Sequence, residues 1–207
     1  PYTAPVKILN GETVVEAWCV RNGIPGRTVT GEYHCEYEPT EITFADPVME
    51  RLIREALDRP RGAITDADCE EITELNTMGL YEDAGKTEDQ EALKIHSLKD
   101  LKWLPDLTHL YISGQDEIRD FSEIGICGWL TVLQICSSAL EDLSFLSRLP
   151  LLSDLYLSGN NISDVSALAD CPNIRCLSIE GNPVTDLSVL TSLFHLLSLS
   201  IDDDHLK

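Results

Sequence analysis

The chain is short of positive charge: 15 Lys and Arg face 36 Asp and Glu across 207 residues, a net charge of −21. That deficit excludes a protein that tracks nucleic-acid phosphates, which needs clustered basic side chains. The same charge is repelled from anionic lipid. No apolar run approaches the roughly 20 residues that span a bilayer, so no direct membrane insertion is expected. The seven cysteines contain no CxxC pair and no Cys/His spacing of the zinc-finger kind. There is no GxSxG, no HExxH and no glycine-rich phosphate loop after a strand, and His34, His96, His109, His195 and His205 are scattered. The sequence therefore offers no catalytic set, no metal site and no cofactor site. Asp202-Asp203-Asp204 reads as a solvated charge run. What the chain does have is a hydrophobic share of 43 %, enough for a folded core despite the charge. It opens Pro1-Tyr2-Thr3 without a start Met or a signal peptide, and is read as a piece of a longer chain.

A repeat organises the second half. Leu107, Leu130, Leu152, Ile174 and Leu196 open successive units about 22 residues apart. Within each unit apolar residues recur three and five positions on, as in Leu110 and Ile112, Leu155 and Leu157, or Leu177 and Ile179. These alternate as a strand does, with positions +3 and +5 inward and +2, +4 and +6 outward. Apolar residues then return at every third position, as in Ile162, Val165 and Leu168, which suits 3₁₀ turns packed on the strand layer. Position +8 holds Gln115, Ser138, Asn160, Asn182 and Asp204, polar residues able to bond the backbone where the chain leaves the strand; the two asparagines predict a tighter ladder at the centre than at the ends. The pattern resembles the 22-residue leucine-rich repeat. That resemblance implies an α/β solenoid: a right-handed array with a parallel concave sheet, whose units each bury only half a core and must stack. Upstream, Ile72, Glu74, Leu75 and Thr77 look like a strand, and Ile95 to Leu107 like its return half. The surplus between them is assigned to an acidic insertion near 79–92, either a solvated bulge or a binding loop.

Residues 42–72 read as a helical N-cap to the solenoid. Asp46-Pro47 is an N-cap and first-turn pair. Val48, Leu52, Ile53, Ala56 and Leu57 follow at helical spacing, and the helix ends before Pro60. Thr65 or Asp66 then caps a short second helix carrying Cys69. This stretch, with Ala63-Ile64-Thr65-Asp66-Ala67-Asp68, resembles the cap of bacterial internalin-type proteins. It separates the array from the similar repeats of intracellular phosphatase-regulatory proteins. Before it, Thr13–Val20 and Thr28–Tyr37 read as strands of a small antiparallel β segment, with a turn at Gly23–Gly26. Their order resembles the tail of a chitobiase C-terminal-like, fibronectin-type sandwich. The expected division is thus 1–40 partial sandwich, 41–71 cap and 72–207 repeats.

Cys127 and Cys171 fall in one inward column about two strand spacings apart, beyond disulfide reach, and read as core thiols. Cys136 and Cys176 point outward. Cys19 and Cys35 are open to two readings, a hairpin disulfide or two buried thiols.

The outward columns place Tyr111, Gln134 and Tyr156 in one row, with His109, Asp154, Glu180 and Asp202 beside them. Tyrosine offers large contact area at low entropy cost. This concave face is therefore the candidate site for a protein or glycan ligand. The last unit carries no closing helix, so its end strand is expected to be uncovered and open to association. The internalin resemblance implies a non-catalytic binding module of a bacterial cell-surface or secreted protein. Two other readings stand beside it: an accessory spacer of a large secreted carbohydrate-active enzyme, and a cytosolic phosphatase-regulatory-type scaffold. The acidity is uneven, since residues 63–207 carry 26 acidic and 8 basic groups, which puts it on the array surface and its loop.

Overall fold

The structure, a computed structural model, describes residues 38–78, 80 and 93–202, and upstream the backbone of four strands at 11–17, 20–21, 24–25 and 29–35. Strands β1 (Gly11–Ala17) and β4 (Val29–Cys35) pair antiparallel, as do the two-residue strands β2 (Val20–Arg21) and β3 (Ile24–Pro25). The register sets Cys35 opposite Gly11 and Ala17 opposite Val29, at opposite ends of the hairpin. Cys19, the other half of the pair considered above, lies outside the described residues.

Helix α1 (Pro47–Ala56) starts where Asp46-Pro47 predicts, with the Asp46 carboxylate accepting from the Val48 and Met49 amides. It buries Val48, Met49, Leu52 and Ile53. The short α2 (Asp66–Cys69) is capped by Thr65 in a reciprocal box with Asp68. That carboxyl is held below the usual range by bonds from the Thr65 amide and hydroxyl and by Arg59, 2.5 Å away.

Six strands then form one parallel sheet in sequence order: β5 (Glu74–Asn76), β6 (His109–Ser113), β7 (Val132–Cys136), β8 (Asp154–Tyr156), β9 (Cys176–Ser178) and β10 (Ser198–Ser200). The register aligns Leu75, Leu110, Leu133, Leu155, Leu177 and Leu199 in a single row, the +3 column of the repeat. Return segments are 3₁₀ turns at Lys99–Trp103, Ser122–Ile126, Ser144–Arg148, Ser166–Asp170 and Ser188–Ser192. Four of them open on an Asp that accepts from the serine amide two residues on: Asp120, Asp142, Asp164 and Asp186, at 2.8–2.9 Å. The bond to serine holds Asp120, Asp164 and Asp186 below the ordinary carboxylate range. One continuous core runs from Ile42 in the cap to Leu193. It includes Leu80, fully buried at the start of the acidic insertion. The remainder of that insertion, 79 and 81–92, lies outside the described residues.

The +8 ladder is complete through its non-asparagine rungs. Asn160 Oδ1 accepts from the Ser138 and Leu140 amides, and its Nδ2 donates to the Ile135 and Leu157 carbonyls at 2.7 and 2.8 Å. Asn182 repeats this one unit on, bonding Ile162, Leu157 and Ile179. At the N-terminal end Gln115 accepts from Ile95 N at 2.7 Å and donates to Leu93 O, while the Ser138 hydroxyl accepts from Gln115 N. All four side chains are buried. The looser N-terminal ladder anticipated from the sequence is therefore corrected: Gln reaches with one more methylene, and the Ser138 hydroxyl bonds the rung before it. Asp204 lies outside the described residues.

Position +7 is left-handed in each of the four units where it is described, with φ of 65° at Gly114, 71° at Gly159 and 67° at Gly181. Ser137 occupies the same place with φ 50°. An L side chain is strained there, so Ser137→Gly is expected to raise stability by about 0.5–1 kcal/mol, read as a higher denaturation midpoint. A lowered midpoint would refute the strain. Gly181 is different again, because a Cβ there would meet the Gly159 backbone at 3.3 Å.

At the far end the last strand is uncovered among the described residues. Leu199, in the core row, is 40 % exposed, and Phe194 and Leu197 are more so.

Candidate functional site

Parallel pairing brings the outward residues into rows across the sheet. One row runs Glu74, His109, Val132, Asp154, Cys176 and Ser198, and the next runs Asn76, Tyr111, Gln134, Tyr156, Ser178 and Ser200. Tyr111 and Tyr156 thus stand two strands apart, about 9–10 Å at ordinary strand spacing, with Gln134 between them. All three are half-buried, flanked by inward leucines and isoleucines that fix the strands beneath. The His109 ring stacks on Tyr111 with centroids 6.4 Å apart, and its Nδ1 lies 2.8 Å from the Thr108 hydroxyl.

Of the residues singled out from the sequence, His109, Tyr111, Gln134, Asp154 and Tyr156 lie together on β6–β8. Glu180 and Asp202 sit past the ends of β9 and β10, and each is held locally. Glu180 accepts from the Ser200 hydroxyl at 3.0 Å, and Asp202 accepts from the Gly181 amide at 2.8 Å. Glu74 and Cys176 belong to the same face and escaped selection. Their +2 register is the signal that finds them.

Electrostatics follow from the rows. Burial pushes the Tyr111 phenol up, and the charges of Glu74 and Asp154 push it further. Burial likewise raises Tyr156, with Cys176 and Asp154 adding to it. The Cys176 thiol is held protonated by its bond to the Asp154 carboxylate and by burial. Asp154 also accepts from the Ser153 hydroxyl. Burial raises Cys136 as well. The core thiols are further removed from reactivity, with burial pushing Cys127 up to about 12 and Cys69 and Cys171 to about 11. Among the described residues no three His, Cys, Asp or Glu converge to hold a metal ion, and no helix is long and apolar enough to cross a membrane. A cleft of about 490 Å³ on α1 has a charged lining that is engaged locally: Arg54 pairs with Glu50 at 2.8 Å and also bonds the Gly62 carbonyl.

A family model described as leucine-rich repeats (2 copies) matches residues 150–192. No curated protein matches the chain. Among solved structures, an internalin (InlF) from Listeria monocytogenes shares 24 % identity and a TM-score of 0.58, over 77 % of this chain and 52 % of that one. The chain therefore spans about half the length of that relative. An internalin C2 (InlC2) from the same species shares 21 % identity with a TM-score of 0.40, over 82 % of this chain and 100 % of that one. A leucine-rich-repeat protein from Leptospira interrogans shares 19 % identity with a TM-score of 0.43, over 51 % and 33 %. The fold assignment rests on the repeat model, the InlF likeness and the row-by-row register. With helices and 3₁₀ turns flanking one parallel sheet, the array is a leucine-rich-repeat solenoid whose fold resembles that of internalin-type proteins.

Proposed function

We propose that this chain is a non-catalytic recognition module that binds a protein or glycan through the outward face of its parallel sheet. The observation that carries the reading is the Tyr111–Gln134–Tyr156 row, a rigid and partly exposed aromatic platform that no other described element covers. Side chains held on packed strands lose little entropy on binding, which favours such platforms as binding centres. The chain is further read as part of a bacterial cell-surface or secreted protein. In that reading 1–40 is the tail of a chitobiase C-terminal-like sandwich, 41–71 the cap and 72–207 the repeats. The fold likeness to internalins supports the cell-surface part of it.

The test pairs selection with a double variant. The chain is screened against a glycan array and a displayed library of extracellular proteins, and each binder is re-measured with Tyr111→Ala/Tyr156→Ala. Both tyrosines are half-buried on the outward face rather than in the core, so unfolding free energy should fall by no more than about 1 kcal/mol. Affinity should fall at least about tenfold. Binders that keep their affinity for the double variant would overturn the site.

A further inference from the structure

From the charge of the sheet face we infer that its partner presents an extended cationic protein segment, with Lys or Arg side chains seated on Tyr111 and Tyr156; this inference rests on the proposed binding face. The outward positions of β5–β10 and the residues just after them carry four carboxylates, Glu74, Asp154, Glu180 and Asp202, and not one Lys or Arg. Among the described residues Arg175, exposed just before β9, is the basic side chain nearest this face, and three others are held on the turns. Lys94 bonds Asp116 and the Gly114 carbonyl, Lys102 lies 4.5 Å over the Trp103 ring, and Arg119 pairs with Glu117. The face thus meets an incoming chain with negative potential and two aromatic rings, the combination that favours ammonium or guanidinium groups over neutral ones. An anionic or phosphorylated partner would face uncompensated repulsion.

Spacing narrows the form of that segment. The tyrosines stand two strands apart, about 9–10 Å. A polyproline-II chain returns to the same side every three residues, about 9.3 Å. A segment laid across the strands, with basic residues three apart, therefore reaches both rings without bending. Between them Gln134 can accept from or donate to the segment's backbone. Asp154, in the row beside Tyr156, supplies a counter-charge.

The probe is a fluorescein-labelled peptide, Arg-Pro-Pro-Arg-Pro-Pro-Arg, titrated by anisotropy against the 207-residue chain at about 0.15 M salt. It is compared with the same peptide carrying Gln for Arg and with one whose three arginines are adjacent. The spaced arginine peptide should bind at least about tenfold more tightly than either comparison peptide. Tyr111→Ala/Tyr156→Ala and Asp154→Asn/Glu180→Gln should each weaken it about tenfold or more. Because a chain of net charge −21 attracts any cation, Glu141→Gln/Asp170→Asn serves as the matched control: it removes two exposed charges away from the face and should change affinity less than about twofold. An equal loss in that control, or no loss in the tyrosine variant, would reduce the binding to diffuse attraction and overturn the inference. Tight binding of the glutamine peptide, lost with the tyrosines, would overturn the cationic partner and leave the binding face standing. No binding by any peptide would overturn the cationic segment alone, since the screen for binders reports on the face separately.

Discussion

Replacing Leu155 with Asp abolishes the cooperative unfolding transition of the array, or lowers its midpoint by roughly 10–20 °C. Leu155 is fully buried in the middle of the inward row, between Leu133 and Leu177. The substitution removes an apolar side chain whose loss alone costs about 2–5 kcal/mol. It also places a carboxylate where no donor is oriented to meet it, a penalty of several kcal/mol more. Together these approach the entire stability of a domain, about 5–15 kcal/mol. In a stacked array the damage spreads, because each unit completes its neighbour's core. Leu155→Met, which preserves volume and polarity, should cost less than about 1.5 kcal/mol. Thermal melts followed by far-ultraviolet circular dichroism separate the two. An unchanged curve for Leu155→Asp would refute the register of the whole sheet.

The second large effect lies at the junction of cap and repeats. Asp46 is buried, and its carboxylate serves two elements at once. Oδ1 caps α1 through the Val48 and Met49 amides, and Oδ2 accepts from the His96 and Ser97 amides at 2.8 and 3.1 Å, fifty residues downstream. Asp100, fully buried on the return segment, answers in the other direction by accepting from the Ala45 and Asp46 amides at 2.8–3.0 Å. The two side chains stitch the cap to the first return segment through part-buried backbone donors of both. Asp46→Ala should therefore cost about 2–4 kcal/mol, combining a lost cap with the lost long-range bonds of a charged acceptor. Asp46→Ser keeps the helix cap with a shorter side chain that cannot span to His96. It should recover only about 1 kcal/mol of that loss. Denaturant titrations of the three proteins, with hydrogen exchange at the His96 and Ser97 amides, make the comparison. Equal stabilities for the Ser variant and the parent would mean that the long-range bonds contribute nothing.

Asp46 also shows how far local reading extends. As an Asp-Pro pair before an apolar stripe it announces a helix start, and α1 begins there. Its second role depends on a segment fifty residues away, and nothing local in either stretch records the meeting. Asp100 is harder still. In sequence it is one more charge between Leu98 and Leu101, in a region rich in charge, and only packing reveals that it is fully buried. The +7 glycines fall between these cases. Gly114, Gly159 and Gly181 recur at the repeat period, so the column was legible, but Ser137 in the same column hides the left-handed backbone that unites them.

The candidate site was legible for a geometric reason. A strand alternates its side chains with period two, and a repeat of constant length stacks equivalent positions, so the inward and outward rows follow from counting. Tyr111, Gln134 and Tyr156 share a row on that basis, and the register agrees. What counting cannot supply is the competition among polar partners. Glu180 and Asp202 belong to the outward series by number, yet they are bonded to Ser200 and to the Gly181 backbone. Cys176 reads as an odd outward thiol until Asp154 is found bonded to it.

The sequence by itself determined the repeat length, the inward and outward rows, the helix start at Asp46 and the concentration of negative charge on the array, because each depends on periodicity, local capping or composition. Tertiary structure alone decided how Gln115 and Ser138 complete a ladder begun by asparagines, how two buried aspartates join cap to repeats, and which outward carboxylates remain beside the tyrosines. Those outcomes turn on distances between residues far apart in the chain, which pattern does not encode until the units are stacked.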